Sequence, residues 1–297
     1  MFGATYFAPP YFGPPYFGGE GGDIIVVPPP APAAELGSGV ILYNDRIASA
    51  ILSGSTTPST LTLDRLQDPQ PTNVARILAS SGFIIGDFGS AVAIGASVFH
   101  GTSLGVTATV RLRLSSADPT GVAGDIYDSG VVLAGADQRY RGSFYQVLDE
   151  DLSARFVRVD IVDPAASTID LGIWLAGPVL RPEINFSPPR PLGYVDYGSA
   201  IPSAAGITHV MERRRARNTE LRFEWADQDE AFGDLSFFDM QRMCGIVQNV
   251  AIISDPLSSY RAAELVVGTV TQLIPIQFPA VMDPQPFVCV VNVIERL

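Results

Sequence analysis

Between Val106 and Leu114 the chain alternates without a break, with Val106, Ala108, Val110, Leu112 and Leu114 interleaved by Thr107, Thr109, Arg111 and Arg113. A period of two sends successive side chains to opposite faces of a strand, so one face is core and the other carries arginine. Similar short apolar runs recur at 40–43, 61–63, 83–85, 92–99, 126–127, 131–133, 144–148, 154–162 and 169–175, with Gly, Asp and Pro between them. Strands this short, so regularly punctuated, predict a jelly-roll β-sandwich over residues 37–180 that closes near Gly177-Pro178. The fold class expected for the whole chain is mainly β.

A proline-rich connector, 181–202, separates this module from a second one over 203–297. The second module carries the one convincing helical pattern, over 234–244, in which Leu235 and Phe238 lie three apart and Phe237, Met240 and Cys244 follow an i, i+3, i+7 spacing before Gly245. Strand patterns at 220–225, 250–254, 263–270 and 287–294 flank the helix and predict a small α+β unit that provides a second assembly surface.

The N-terminal segment, 1–36, is of another kind. Tyr6-Phe7, Tyr11-Phe12 and Tyr16-Phe17 recur every five residues with Pro-Pro between the pairs, followed by a stiff Pro28–Pro32 spacer. Proline lacks the amide and biases its predecessor to extended geometry, which excludes a helix or a central strand. The expectation is an extended arm whose aromatic pairs, about 15 Å apart at 3.1 Å per residue, are buried on neighbouring subunits. It has neither the basic region nor the apolar stretch of a signal peptide.

Charge limits the partners. The formal net charge is -12, and all 19 basic residues are arginine, which argues against nucleic acid, whose recognition needs clustered positive charge. No run of about 20 apolar residues suggests insertion in a membrane. Cys244 and Cys289, each among apolar neighbours, are expected to be buried free thiols, and with His100 and His209 as the only histidines a zinc site is not expected. No G-x-S-x-G elbow, phosphate loop or Ser/His/Asp set is present, so no catalytic residue is assigned and an enzyme is not expected.

Residues 44–177 resemble the discoidin-like, galactose-binding-type jelly-roll modules of tailed-bacteriophage virion proteins. The matching segments are Asn44-Asp45-Arg46-Ile47-Ala48, Asp64-Arg65-Leu66-Gln67-Asp68-Pro69, Gly86-Asp87-Phe88-Gly89-Ser90, the loop Val98-Phe99-His100-Gly101-Thr102-Ser103-Leu104, the strand 108–115 and the closing pair 154–159 and 169–177. The C-terminal half, with Phe223, Asp255-Pro256 and its terminal Val-Asn-Val-Ile-Glu-Arg-Leu strand, resembles C-terminal regions of minor tail and baseplate proteins of long-tailed phages. The resemblance implies a non-enzymatic structural component of the virion tail, made in the host cytoplasm, forming a symmetric ring of copies with other tail proteins as partners. It leaves a head-attached fibre or decoration protein, and a carbohydrate-binding adhesin contacting host surface polysaccharide, as alternatives.

Several residues are singled out for these roles. His100, in a predicted loop, and Arg139, Tyr140 and Arg141 are the candidate glycan-contact residues, although a histidine at a strand end more often bonds to backbone. Arg213, Arg214, Arg215 and Arg217 form the one basic run, read as interface charges facing the acidic stretch of Glu220, Glu224, Asp227, Asp229 and Glu230. On a strand, Arg213, Arg215 and Arg217 would share a face. Trp174 is read as core rather than as a sugar platform. Asp149, Glu150 and Asp151 read as a solvated turn. They lack a calcium-loop pattern, but related jelly rolls leave room for a structural calcium ion; no other cofactor is expected.

Overall fold

The computed structural model describes residues 39–202, 208–278 and 286–297. The arm with Tyr6, Phe7, Tyr11, Phe12, Tyr16 and Phe17 lies outside the described residues. The strands are, in order, β1 (Val40–Leu42), β2 (Ile51–Gly54), β3 (Ala75–Ile77), β4 (Ser81–His100), β5 (Thr109–Ser115), β6 (Tyr127–Asp128), β7 (Val132–Leu133), β8 (Phe144–Val162), β9 (Ile169–Leu171), β10 (Ile173–Gly177), β11 (Leu192–Asp196), β12 (Ser199–Pro202), β13 (Thr208–Met211), β14 (Arg215–Ala226), β15 (Asn249–Ile253), β16 (Leu265–Val270) and β17 (Phe287–Glu295). Helices α1 (Gln228–Phe232) and α2 (Phe237–Cys244) follow β14, and α3 (Arg261–Glu264) precedes β16. The 61–63 run is not a strand, since Leu63 opens a 3-10 turn that buries Leu63 and Leu66.

Two long strands organise the sandwich. β4 and β8, each expected as two short strands, run unbroken for 20 and 19 residues. Residues 81–87 of β4 pair with 156–162 of β8, while 92–99 pair with 144–154, and the register slips between Asp87 and Val92. Such an irregularity bends and twists both strands, so their halves serve two layers of the same jelly-roll sandwich. β2, β5, β6 and β7 complete one layer and β10 joins the other. Between them lies a core with Ile84, Ile94, Phe99, Leu112, Leu114, Val159 and Trp174. Trp174 is fully buried, donates from Nε1 to the Ser97 hydroxyl at 2.9 Å and stacks on Phe99, which stacks on Phe144. Between β9 and β10 the backbone packs so closely that only glycine fits, since a Cβ at Gly172 would lie 2.6 Å from the His100 carbonyl oxygen and 2.7 Å from that of Pro71.

The second sheet runs β1-β15-β16-β17-β14-β11. Val40–Leu42, expected to open the sandwich, pairs with Ile253–Ala251 across the chain instead. Connector residues 192–196 and 199–202 are strands too, the first at the edge of this sheet on β14 and the second in a separate two-stranded ribbon with β13.

The two sheets share a core. Val40, Leu42, Ala251, Ile253, Leu265 and Val267 pack against Ala96, Val98, Tyr145, Ile173, Leu175 and Val179 of the sandwich. Alternate residues on the same strands, Ile41, Val250, Ile252 and Val266, point the other way and meet Phe237, Met240 and Cys244 of α2. Hence β10 and β15 are buried along their whole length, the mark of a strand covered on both faces. Cys244 and Cys289 are both buried and unpaired, as expected, and burial raises their thiols to about 11 and about 12.

Candidate functional site

Where β4 ends, Gly101 turns the chain at φ +75° and leaves His100 fully buried against the C-terminal sheet. Its Nε2 lies 3.2 Å from the Arg296 carbonyl and its Nδ1 2.8 Å from the Ser143 hydroxyl. A carbonyl can only accept, so the neutral ring carries its proton on Nε2, while the one hydroxyl proton of Ser143 is shared between His100 Nδ1 and the Tyr140 carbonyl, each 2.8 Å from Ser143 Oγ. Burial, opposed by the charge of Glu295, lowers the imidazole to about 4.

Glu295, at the end of β17, is the carboxylate of this junction. It accepts from Arg217 Nη2 at 2.6 Å, Nε at 3.0 Å and the Arg217 amide at 3.1 Å, and both side chains are 3% exposed or less. Arg217 Nη1 also donates to the Ala262 carbonyl at 3.2 Å, and its guanidinium lies 5.1 Å from the centre of the Tyr140 ring. Arg141 Nε stands 3.8 Å from Glu295. Burial alone would raise Glu295, but hydrogen bonds and charge from Arg217 hold it below its usual range. Arg141 is lowered, first by burial and then by Arg214 and Arg217.

This arrangement corrects two sequence expectations. Of the glycan-contact candidates, His100 is sealed inside, Arg141 turns toward Glu295 and Tyr140 is half-buried beneath Arg217; Arg139 alone is exposed, held by Asp137. The reason is that β4 ends against another sheet rather than in a solvent loop. Nor do the arginines form one stripe. Arg217 is buried while Arg215 is exposed and pairs with Asp196 at 2.8 Å; Arg213 and Arg214 are exposed and outside any strand, with no salt bridge among the described residues.

Beyond Arg215 the same two segments continue off the sheet as a ribbon. β11 pairs with β14 out to Asp196 and Arg215, and β12 then pairs with β13 from Ser199 and Met211 to Pro202 and Thr208. Ile201, Val210 and Met211 on it are 64%, 67% and 55% exposed. A two-stranded ribbon is marginal in water by itself.

At the corner formed by α1 and α2, apolar rings are again uncovered. Asp227 and Glu230 form a capping box that starts α1, and Ser236 caps α2. Phe237 points into the core, so its neighbour Phe238, expected on the apolar face, points outward. The Phe232 ring lies 5.8 Å from that of Phe238, 6.4 Å from Phe278 and 5.3 Å from Phe287, and the first three of these four rings are exposed. Exposed Asp229 and Asp234 line a cavity of about 630 Å³ with Glu230, Leu235, Val179 and Arg181.

The outer face of the sandwich carries the arginines of the 106–114 pattern. Arg111 pairs with Asp128, while Arg113 and Arg158 share Asp160. With Thr109, Val131 and Val162, Arg111, Arg113 and Asp160 line a shallow groove of about 180 Å³. Val106 does not continue the buried face but is exposed, because the strand begins at Thr109. Asp149 and Glu150 are exposed, and Asp151 accepts from Arg181 at 2.6 Å. No three His, Cys, Asp or Glu side chains among the described residues are grouped to hold a metal ion. No described helix is long and apolar enough to cross a membrane.

No family profile and no curated protein matches the chain. Among solved structures, it is similar to the lectin domain of lectinolysin complexed with Lewis B antigen, at 13% identity and a TM-score of 0.35 over 46% of this chain and 99% of that one. A fucose binding module of Streptococcus pneumoniae matches 44% of this chain and 96% of its own at 10% identity and a TM-score of 0.34. The chitosan-binding module 1 of a chitosanase/glucanase from Paenibacillus sp. IK-5 matches 44% and 97% at 11% identity and a TM-score of 0.34.

Proposed function

We propose that this chain is a non-enzymatic assembly subunit that joins further copies of itself into a larger particle. The observation that carries the reading is the ribbon of β12 and β13, which extends past the sheet with Ile201, Val210 and Met211 uncovered. Apolar side chains on a marginal two-stranded element gain most from a partner surface, at roughly 25 cal/mol per Å² buried. The resemblance of the sequence to phage minor tail and baseplate proteins is the ground for reading that particle as a virion, with the Tyr-Phe arm proposed as a second attachment. Sedimentation velocity of the full chain at micromolar concentration tests the reading. A species of several copies is expected, and a monomer at every concentration overturns it. The virion assignment requires the chain among the proteins of purified particles, and its absence there removes that part alone.

A second reading, recognition of host polysaccharide, has its own geometric support in the groove over β5. Arg111 and Asp160, above the buried Arg113, offer a donor and an acceptor suited to sugar hydroxyls, and Val131 and Val162 offer the apolar strip beside them. Binding of the full chain to a polysaccharide array, weakened in Arg111→Ala, would support it; no binding to any polysaccharide on the array sinks it.

A further inference from the structure

The two uncovered surfaces of the C-terminal half are complementary. The ribbon presents Val210 and Met211, with Arg213 and Arg214 beside it exposed and without a salt bridge among the described residues. The helix corner presents Phe232 and Phe238, with Asp229 and Asp234 exposed beside a cavity of about 630 Å³. Neither aspartate has a salt bridge among the described residues, whereas the nearby Glu230 is occupied in the α1 capping box and by the Glu183 amide at 2.5 Å. The exposed Glu212 between Met211 and Arg213 offsets one of the two arginines, so the ribbon end keeps a net positive charge and the corner a net negative one, each next to spare apolar area.

We propose that the ribbon of one copy docks on the α1–α2 corner of the next, a head-to-tail contact between two different patches of the same chain. The proposal rests on the assembly reading and names the surfaces through which it acts. Arginine over an exposed phenylalanine ring and methionine against a ring edge are both favourable, so the apolar and the charged parts of the two patches act together. A contact between unlike patches repeats from copy to copy and closes into a ring when its rotation allows. A self-complementary dimer would not, since it buries the same patch on both partners.

The test uses the full chain in two charge-reversed forms, Arg213→Glu/Arg214→Glu and Asp229→Arg/Asp234→Arg, with circular dichroism to verify that each folds. All four positions are exposed, so folding is expected to be unchanged. Each variant alone is expected to sediment as a monomer where the wild type is a multimer. An equimolar mixture is expected to regain the multimer, because reversed ribbon then meets reversed corner and native ribbon meets native corner. Wild-type multimers should also shrink as salt rises from about 0.1 to 1 M, where the screening length falls from roughly 10 to 3 Å. If both variants stay multimeric alone, or if the mixture stays monomeric, the ribbon-to-corner contact is wrong while assembly through another surface stands. A wild type that is monomeric throughout removes the assembly reading, and this contact with it.

Discussion

Replacing Glu295 by Gln keeps the shape of the side chain and removes the single carboxylate that faces Arg217, Arg141 and His100. The Arg217–Glu295 pair is at most 3% exposed on either side and is joined by three hydrogen bonds of 2.6 to 3.1 Å. Breaking a buried pair by removing one partner costs about 3–5 kcal/mol, because the remaining charge has no counterpart. Here Arg141 adds like-charge repulsion to that cost. With a urea m-value of about 2–3 kcal/mol/M, the midpoint of unfolding should fall by roughly 1–2 M. Replacing both partners, Arg217→Met with Glu295→Leu, should recover most of the loss, since no buried charge pair remains to be broken. Equilibrium urea unfolding followed by tryptophan fluorescence measures all three proteins. A Glu295→Gln midpoint within about 0.3 M of the wild type, less than about 1 kcal/mol, would refute the picture of a dry, tightly paired junction.

Protonation gives two opposed pH effects. The His100 ring, neutral when folded, titrates at its ordinary value near 6.5 when unfolded and at about 4 when folded. Its stabilisation is therefore complete above about pH 6.5 and is lost toward pH 4, by about 3 kcal/mol, and His100→Asn should flatten that fall. Asp45 accepts from the Ile47 and Ala176 amides, yet burial raises it to about 7, so its contribution is present below about pH 4 and lost as pH rises to 7. Stability measured against pH in Asp45→Asn should then fall more steeply on the acid side than in the wild type. Neither cysteine should react with a thiol reagent in the native protein at pH 8, and both should react in denaturant; rapid native labelling would contradict their burial. Residues 44–178 expressed alone should aggregate or fail to fold, because Val98, Tyr145, Ile173 and Leu175 lose their cover. At roughly 1.5–3 kcal/mol per side chain that exposure rivals the 5–15 kcal/mol by which most domains are stable. A soluble fragment with cooperative unfolding would contradict the shared core.

Local pattern carried the strands, and long-range pairing carried what local pattern missed. Thr109–Ser115 was legible because its alternation matches one buried and one polar face. β4 and β8 read as pairs of strands because the slip between Asp87 and Val92 interrupts their periodicity without ending the strands. The apolar run Ile173–Gly177 was correctly placed in the sandwich, but its lack of any polar face was the unused sign that a second sheet covers it. Arg215 and Arg217 look alike in sequence, and only the cross-strand position of Glu295 distinguishes the buried one. The Phe237-Phe238 pair shows the same limit: both fit a helical stripe, and the sheet beneath α2 selects Phe237. His100 and Arg141, expected as glycan contacts, and Arg217, expected as an interface charge, meet instead at Glu295 and Arg296, where they join two sheets of the same chain.

The most direct test of the assembly account is a cryo-EM map, at side-chain resolution, of the particle that contains this chain. Ile201, Val210 and Met211 are predicted to be buried against a neighbouring copy. A map in which that ribbon stands in solvent, with every copy separated from the others, would contradict the account.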